Sequence, residues 1–371
     1  MAHLGSLSRW CVFALLGAAL AIASCDRPAA PDVGESGAAA PPVFQTSDVY
    51  PEGSTARPWT HLNFLDDPDD FQFAIITDRT GGARPGVFEG ILGKVNLLQP
   101  EFVMSVGDYI EGYVRDAGKV RAEWAEIDGM VKALEPPLFF VVGNHEIFDA
   151  DSEAVWRERT GGVTWYHFLY RDTLFIALNT EDSRHPTPEE IVELDKALAL
   201  YAQSPAAAAE FMKGNALIRT YVAETDAQRI GDAQTQWVLD LLARHKDVRW
   251  TFFFMHRPVW QQGIANFERI EAALAGRGYT MFAGHIHSHS WEQRNGRDYV
   301  GLGTSGGGWS PAGGPGEMDH VTWVTMRKDG PIFAHLLATG ILAKDGVPDF
   351  APGAEFCGPQ YNIPCISKSR P

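Results

Sequence analysis

Two aspartates, one asparagine and four histidines stand at the ends of five short apolar runs. Asp78 follows FQFAIIT, and Gly107-Asp108 follows EFVMSV. Gly143-Asn144-His145-Glu146 follows LFFVV. His256 follows WTFFFM, and Gly284-His285-Ile286-His287 follows YTMFA. Imidazole and carboxylate donors together favour Zn, Mn or Fe over Ca or Mg. A carboxylate can bridge two such ions about 3.5–4 Å apart, the separation used in two-metal hydrolysis. The set therefore suits a pair of transition metals that activate a water and hold phosphoryl oxygens. Glycines beside the donors allow tight turns and close backbone approach.

The donors need elements that bring them together. The runs at 71–77, 101–106 and 138–142 alternate with helical spacing over 86–99 and 116–134. That alternation predicts an α/β fold with parallel pairing. In an open α/β sheet the carboxyl ends of the strands face a shared crevice, where all five donor groups would arrive. A strand pair over 164–170 and 173–180 comes next, then a long helical region over 188–245. The strand at 250–255, the helix at 267–277 and the strand at 279–283 follow. Meander-like strands close the pattern: SHSWEQ, RDYVGLGT, HVTWVTMR and IFAHLLAT. The segment 202–228 reads as an insertion, either a packing helix or a shaper of substrate access. No internal repeat is visible.

In order, the residues give an Asp motif, GD, GNH, a lone His and GHxH, over 71–290. This order resembles the calcineurin-like metallophosphoesterases, a family that includes the purple acid phosphatases. The resemblance implies a four-layer α/β/β/α sandwich, two mixed β-sheets flanked by helices. It implies Asp78 and His287 on a first metal and Asp108 bridging both. Asn144, His256 and His285 would hold the second. His145 would contact the substrate phosphate and protonate the leaving oxygen, help typically worth about 10²–10⁴ in rate. The implied activity is hydrolysis of a phosphomonoester or phosphodiester by metal-activated water. The alternative is a catalytically weakened metal- or phosphate-binding lipoprotein of the same fold.

One position departs from the family. Most members read Asp-x-His at the first motif, and here it reads Asp78-Arg79-Thr80. Purple acid phosphatases use a Tyr three residues after the bridging Asp, where this chain has Glu111. Glu111, a water or a distant residue such as His61 would fill the gap, or the first site stays empty. Arg79, Arg84 and Arg257 are candidates for bidentate phosphate binding. His167, His289 and His320 read as structural. The segment GTSGGGWSPAGGPG (303–316) lacks the Lys-Ser/Thr of a nucleotide P-loop and reads as a loop at the pocket rim. His145-Glu146 is no zincin motif, because no His follows at the required spacing.

The remainder of the chain speaks to location. Arg9 precedes an uncharged apolar run from Trp10 to Ala23, and a small-residue exit ends at Cys25. Residues 1–24 thus read as a secretory signal, with Cys25 as a lipidation site. Residues 25–58, rich in Ala, Pro, Gly and Ser, read as a flexible tether to a domain over 59–340. The expected location is periplasmic or cell-surface, anchored to membrane by lipid. In an oxidising compartment, Cys357 and Cys365 in the tail (341–371) would form a small disulfide. The formal net charge of −16 repels nucleic acid over long range, which favours a small phosphoester substrate.

Overall fold

A computed structural model describes residue 65 and residues 67–341 apart from 202, 310–313 and 315, with 355–358 and 363–367 described by backbone alone. The signal, the tether, Cys25, His61 and the side chains of Cys357 and Cys365 lie outside the described residues.

The chain runs β1 (Phe71–Ile76), α1 (Val87–Leu98), β2 (Phe102–Ser105), α2 (Ala117–Val131), β3 (Leu138–Phe139) and α3 (Ala150–Thr160). Next come β4 (Tyr166–Tyr170), β5 (Thr173–Ala177), α4 (Pro188–Tyr201), α5 (Pro205–Gly214), α6 (Ala216–Ala227) and α7 (Asp232–Arg244). Then follow β6 (Trp250–Met255), α8 (Ala265–Ala273), β7 (Tyr279–Ala283), β8 (Ser290–Arg294), β9 (Arg297–Gly301), β10 (His320–Arg327) and β11 (Gly330–Leu337).

Two mixed sheets result. One has the order β11-β10-β1-β2-β3, and the other β4-β5-β6-β7-β9-β8. In the first, β1, β2 and β3 pair in parallel while β10 and β11 run antiparallel. In the second, β5, β6, β7 and β9 are parallel, and β4 and β8 are antiparallel edges.

Period-2 alternation assigns the faces. Phe71, Phe73 and Ile75 of β1 meet Phe252 and Phe254 of β6 in the layer between the sheets. Ala74 and Ile76 face the other way, onto Ile91 and Leu92 of α1 and Trp124 of α2. On the second sheet, Phe253 and Met255 face Val238 and Leu241 of α7 and Ile270 of α8. Strands buried on both faces explain why their sequences are continuous apolar runs. The outcome is the helix–sheet–sheet–helix sandwich expected.

Three expectations change in detail. The helical region 188–245 is four helices. Pro205 sits at the first helical position of α5 behind the Ser204 cap. The Asn215 side chain accepts from the Leu217 and Ile218 amides and starts α6, and Gly231 precedes α7. Strand β3 stops at Phe139, because the Val141 amide turns to the Ser105 hydroxyl, 3.0 Å away. The final strands are two hairpins in different sheets rather than one meander. The first turns at Asn295-Gly296, both left-handed (φ 53° and 68°), as a two-residue hairpin requires. Strands β12 (Glu355–Gly358) and β13 (Ile363–Ser367) form an antiparallel ribbon, with an irregular step after the Phe356–Ile366 pair. Among the described residues, no helix is long and apolar enough to cross a membrane.

Candidate metal centre

Parallel register delivers the donors. Ile76 pairs with Ser105, so Asp78 and Asp108 leave neighbouring strand ends. Met255 pairs with Ala283, so His256 and His285 do the same on the other sheet. Asp108 (φ 62°), His285 (φ 71°) and His287 (φ 58°) are held in the left-handed region. Such backbone costs about 1–3 kcal/mol each and gathers at functional sites. Two glycines make room for the carboxylates. A Cβ on Gly143 would overlap Asp108 Oδ1, and one on Gly284 would overlap Asp78 Oδ2.

Two groups of donors converge. Asp108, His256 and His285 have ligand atoms within 4.8 Å of one another, as do Asp78, Asp108 and His287. Asp108 belongs to both. His256 Nε2 lies 3.1 Å from Asp108 Oδ2, 3.0 Å from Asn144 Oδ1 and 3.1 Å from His285 Nδ1. His287 Nε2 lies 3.4 Å from Asp78 Oδ1. All six residues of the expected cage are thus brought together.

The hydrogen bonds test whether metal fits. His256 Nδ1 is 2.9 Å from the Val106 carbonyl, and His287 Nδ1 is 2.6 Å from that of Gly308. Each Nδ1 therefore donates, so in the neutral imidazole each Nε2 offers its lone pair on the side of the carboxylate oxygens. Such a face attracts positive charge, a proton or a metal ion, to the space between these donors. Backbone carbonyls orienting ligand imidazoles in this way are the usual support of a metal site. The donor set fits two ions, with Asp108 shared.

The electrostatics show the same pull on positive charge. Burial alone would raise the Asp108 carboxyl, but His256 and His145 hold it well below the usual range. Burial opposes charge on His256, yet Asp108 outweighs it and lifts the imidazole to about 9. His285 goes the other way: burial, then Arg257 and His256, push it down. His145 Nδ1 is fixed 2.6 Å from the Glu111 carbonyl, and its Nε2 is 3.8 Å from Asp108 Oδ2. That leaves Nε2 facing the centre without being in either group of donors.

The other candidates separate. Arg257 Nη1 is 2.6 Å from His285 Nε2, and its Nε bonds Glu181 at 2.5 Å. Arg79 instead pairs with Glu126 at 2.6 Å, and Arg84 makes two bonds to Asp319 and lies over Trp309. Glu111 turns its carboxylate onto the Ala83 and Gly82 amides, 2.7 and 3.3 Å away, and joins neither group of donors. Thr80 is buried. The glycine-rich loop lies against the centre: the Ser305 and Gly307 amides both donate to the Asp78 carbonyl at 3.0 Å. His320 is wholly buried, and His167 packs beside Trp237.

Two participants were not read from sequence. Glu146, fully buried, accepts from the amides of Asp108 (3.0 Å), Tyr109 (2.7 Å) and Gly143 (2.7 Å), and so fixes the loop that carries Asp108. Tyr113 accepts from Asn144 Nδ2 at 2.9 Å and meets the His145 ring edge-on at 4.9 Å. An acid directly after GNH was the available signal for Glu146. Tyr113 had none beyond proximity to Glu111.

The family described as calcineurin-like phosphoesterase matches residues 41–289. No curated protein matches the chain. Among solved structures, a dimetal phosphatase from Danio rerio is 14% identical, covering 72% of this chain and 96% of its own, with a TM-score of 0.49. A purple acid phosphatase from yellow lupin (Lupinus luteus) seeds is 13% identical, covering 74% of this chain and 53% of its own, with a TM-score of 0.47.

Proposed function

Because this chain belongs to the calcineurin-like phosphoesterase family, we propose that it hydrolyses a phosphomonoester or phosphodiester at a dinuclear centre of Mn, Fe or Zn. The observation that carries this reading is Asp108, whose carboxylate belongs to both groups of converging donors. Two bound ions would supply an activated water and hold the phosphoryl oxygens. The protein's residues do the rest. Asn144, His256 and His285 with Asp108 would hold one ion, and Asp78 and His287 with Asp108 would hold the other. Arg257, paired to Glu181, presents a fixed positive charge beside His285. His145 Nε2, when protonated, can donate to the departing alkoxide, because Nδ1 is already committed to Glu111.

The decisive measurement is metal content with hydrolysis of generic mono- and diester substrates, before and after chelation. About two ions per chain and activity restored by Mn, Fe or Zn support the enzyme. Zero metal and no turnover would leave the binding-protein alternative.

We further propose export, with lipid on Cys25 and a Cys357–Cys365 disulfide. The Cys25 reading rests on Ile22-Ala23-Ser24-Cys25 after an apolar run. Labelled fatty acid incorporated by the native chain and not by Cys25→Ala tests it. Mass analysis under non-reducing conditions tests the disulfide.

A further inference from the structure

Beside the centre lies a cavity of about 240 Å³, which shares Tyr113, Asn144 and Arg257 with it. Its far wall comes from α4 and from α5 and α6 of the 202–228 segment, and the three helices pack chiefly on one another. Phe148, Leu194, Leu198, Met212, Tyr221 and Val222 line it. Leu198 (39%), Met212 (36%) and Val222 (40%) stay exposed. Helix packing therefore leaves their apolar surface unused, and large apolar side chains gathered at a pocket mark a ligand site.

The charges of the lining are already matched. Arg184 bonds Glu190 and Glu224, each at 2.7 Å. Arg115 bonds Asp195 at 3.0 Å and Asp149 at 3.2 Å. Arg229 bonds Glu181 at 2.8 Å and Asp226 at 2.6 Å. A second anionic group deep in this cavity would meet no arginine that lacks a carboxylate partner. An uncharged apolar group would meet matching surface.

We propose that this cavity binds the alcohol portion of the substrate, and that the substrate is a phosphoester of an apolar, uncharged aryl or arylalkyl alcohol. The proposal rests on the phosphoesterase reading above for the placing of the phosphate at the centre. Asn144 and Arg257 would mark the phosphoryl end, and the α4–α6 wall the alcohol end. These three helices then act as a specificity cap.

The test uses the full chain loaded with Mn²⁺. Binding of 2-phenylethylphosphonate and ethylphosphonate is measured by calorimetry. Turnover is measured with 2-phenylethyl phosphate and ethyl phosphate and with the methyl diester of each, whose leaving alcohols are similar in basicity. The native chain should favour the phenylethyl member about tenfold or more, the scale of filling an apolar pocket. Leu198→Asp and, separately, Val222→Asp should abolish that preference while ethyl-member turnover changes by about twofold or less. Both positions are exposed enough to accept a carboxylate without loss of fold. Hydrolysis with no phenylethyl preference, or a preference intact in both variants, overturns the cavity assignment and leaves the phosphoesterase reading standing. Phosphonate preference with no ester hydrolysed supports the cavity and overturns the phosphoesterase reading.

Discussion

His256 holds Nδ1 2.9 Å from the Val106 carbonyl and Nε2 3.1 Å from Asp108 Oδ2. The first contact orients the ring, and the second aims it at the one carboxylate shared by both groups of donors. A strand-end carbonyl from one sheet thereby sets a ligand on the other sheet. The two sheets must be packed for the centre to exist, so fold and chemistry are coupled at this pair.

Asp108→Asn tests that carboxylate with little cost to the backbone. Asp108 sits at φ 62°, which Asn tolerates better than most residues. The variant should keep its thermal transition, bind fewer than two ions, and lose about 10³-fold in kcat/KM, the scale of removing a preorganised charge from a reaction centre. Elemental analysis and turnover on the same preparation check it. Full metal content with native turnover would remove Asp108 from its assigned role.

His145 should reveal itself through the leaving group. Its Nε2 faces the centre but is not among the converging donors. His145→Gln should retain metal and lose about 10²–10⁴-fold on alkyl phosphates, whose alkoxides need a proton. The loss should be much smaller on 4-nitrophenyl phosphate, whose phenolate leaves unaided. An equal loss on both substrates would assign His145 to phosphate binding instead.

Much of this was legible in sequence for a physical reason. Strands buried on both faces must be apolar throughout, so FQFAIIT and WTFFFM announce themselves, and the polar residue ending each run marks the crevice. Side-chain partners chosen across the fold were not legible. Arg79 reaches Glu126, 47 positions away, and Arg84 reaches Asp319, 235 away. Arg79 and Arg257 each follow a candidate ligand directly, yet only Arg257 turns toward the donors, so adjacency alone did not decide. The helices over 188–227 were legible as helices, but their pattern does not say what their apolar faces meet. The cavity they wall was therefore invisible.

Arg257 and Arg79 give a contrast. Arg257→Gln should lower kcat/KM by about tenfold or more, because it removes the charge beside His285 and leaves Glu181 with Arg229 alone. Arg79→Gln, on a partner that is more than half exposed, should change kcat/KM by about twofold or less. Steady-state kinetics on the two variants decide. Comparable losses in both would mean that Arg79 turns toward substrate during turnover.

Stability against acid should carry the mark of a histidine cluster that belongs to neither group of converging donors. The His335 ring lies tilted against His289 (4.3 Å) and edge-on to His320 (5.1 Å), and its Nδ1 meets the Thr322 hydroxyl at 2.9 Å. Burial lowers His320 to about 4, with Met318 and Asp319 opposing, and burial with the neighbouring histidines lowers His335 to about 3. Both folded values lie below the unfolded value of 6.5, so the unfolded chain takes up protons first. Their stabilising contribution is complete above pH 6.5 and is lost as pH falls toward 3–4. The slope is at most about 1.4 kcal/mol per pH unit for each histidine. His335→Phe keeps the ring and removes one proton from that balance. Denaturant unfolding of both chains at pH 8, 6 and 5 should show similar stability at pH 8 and a shallower decline for the variant below 6.5. Taking the difference between the two chains at each pH cancels what the metal ligands contribute in common. Parallel declines would mean that His335 does not remain neutral in the folded protein.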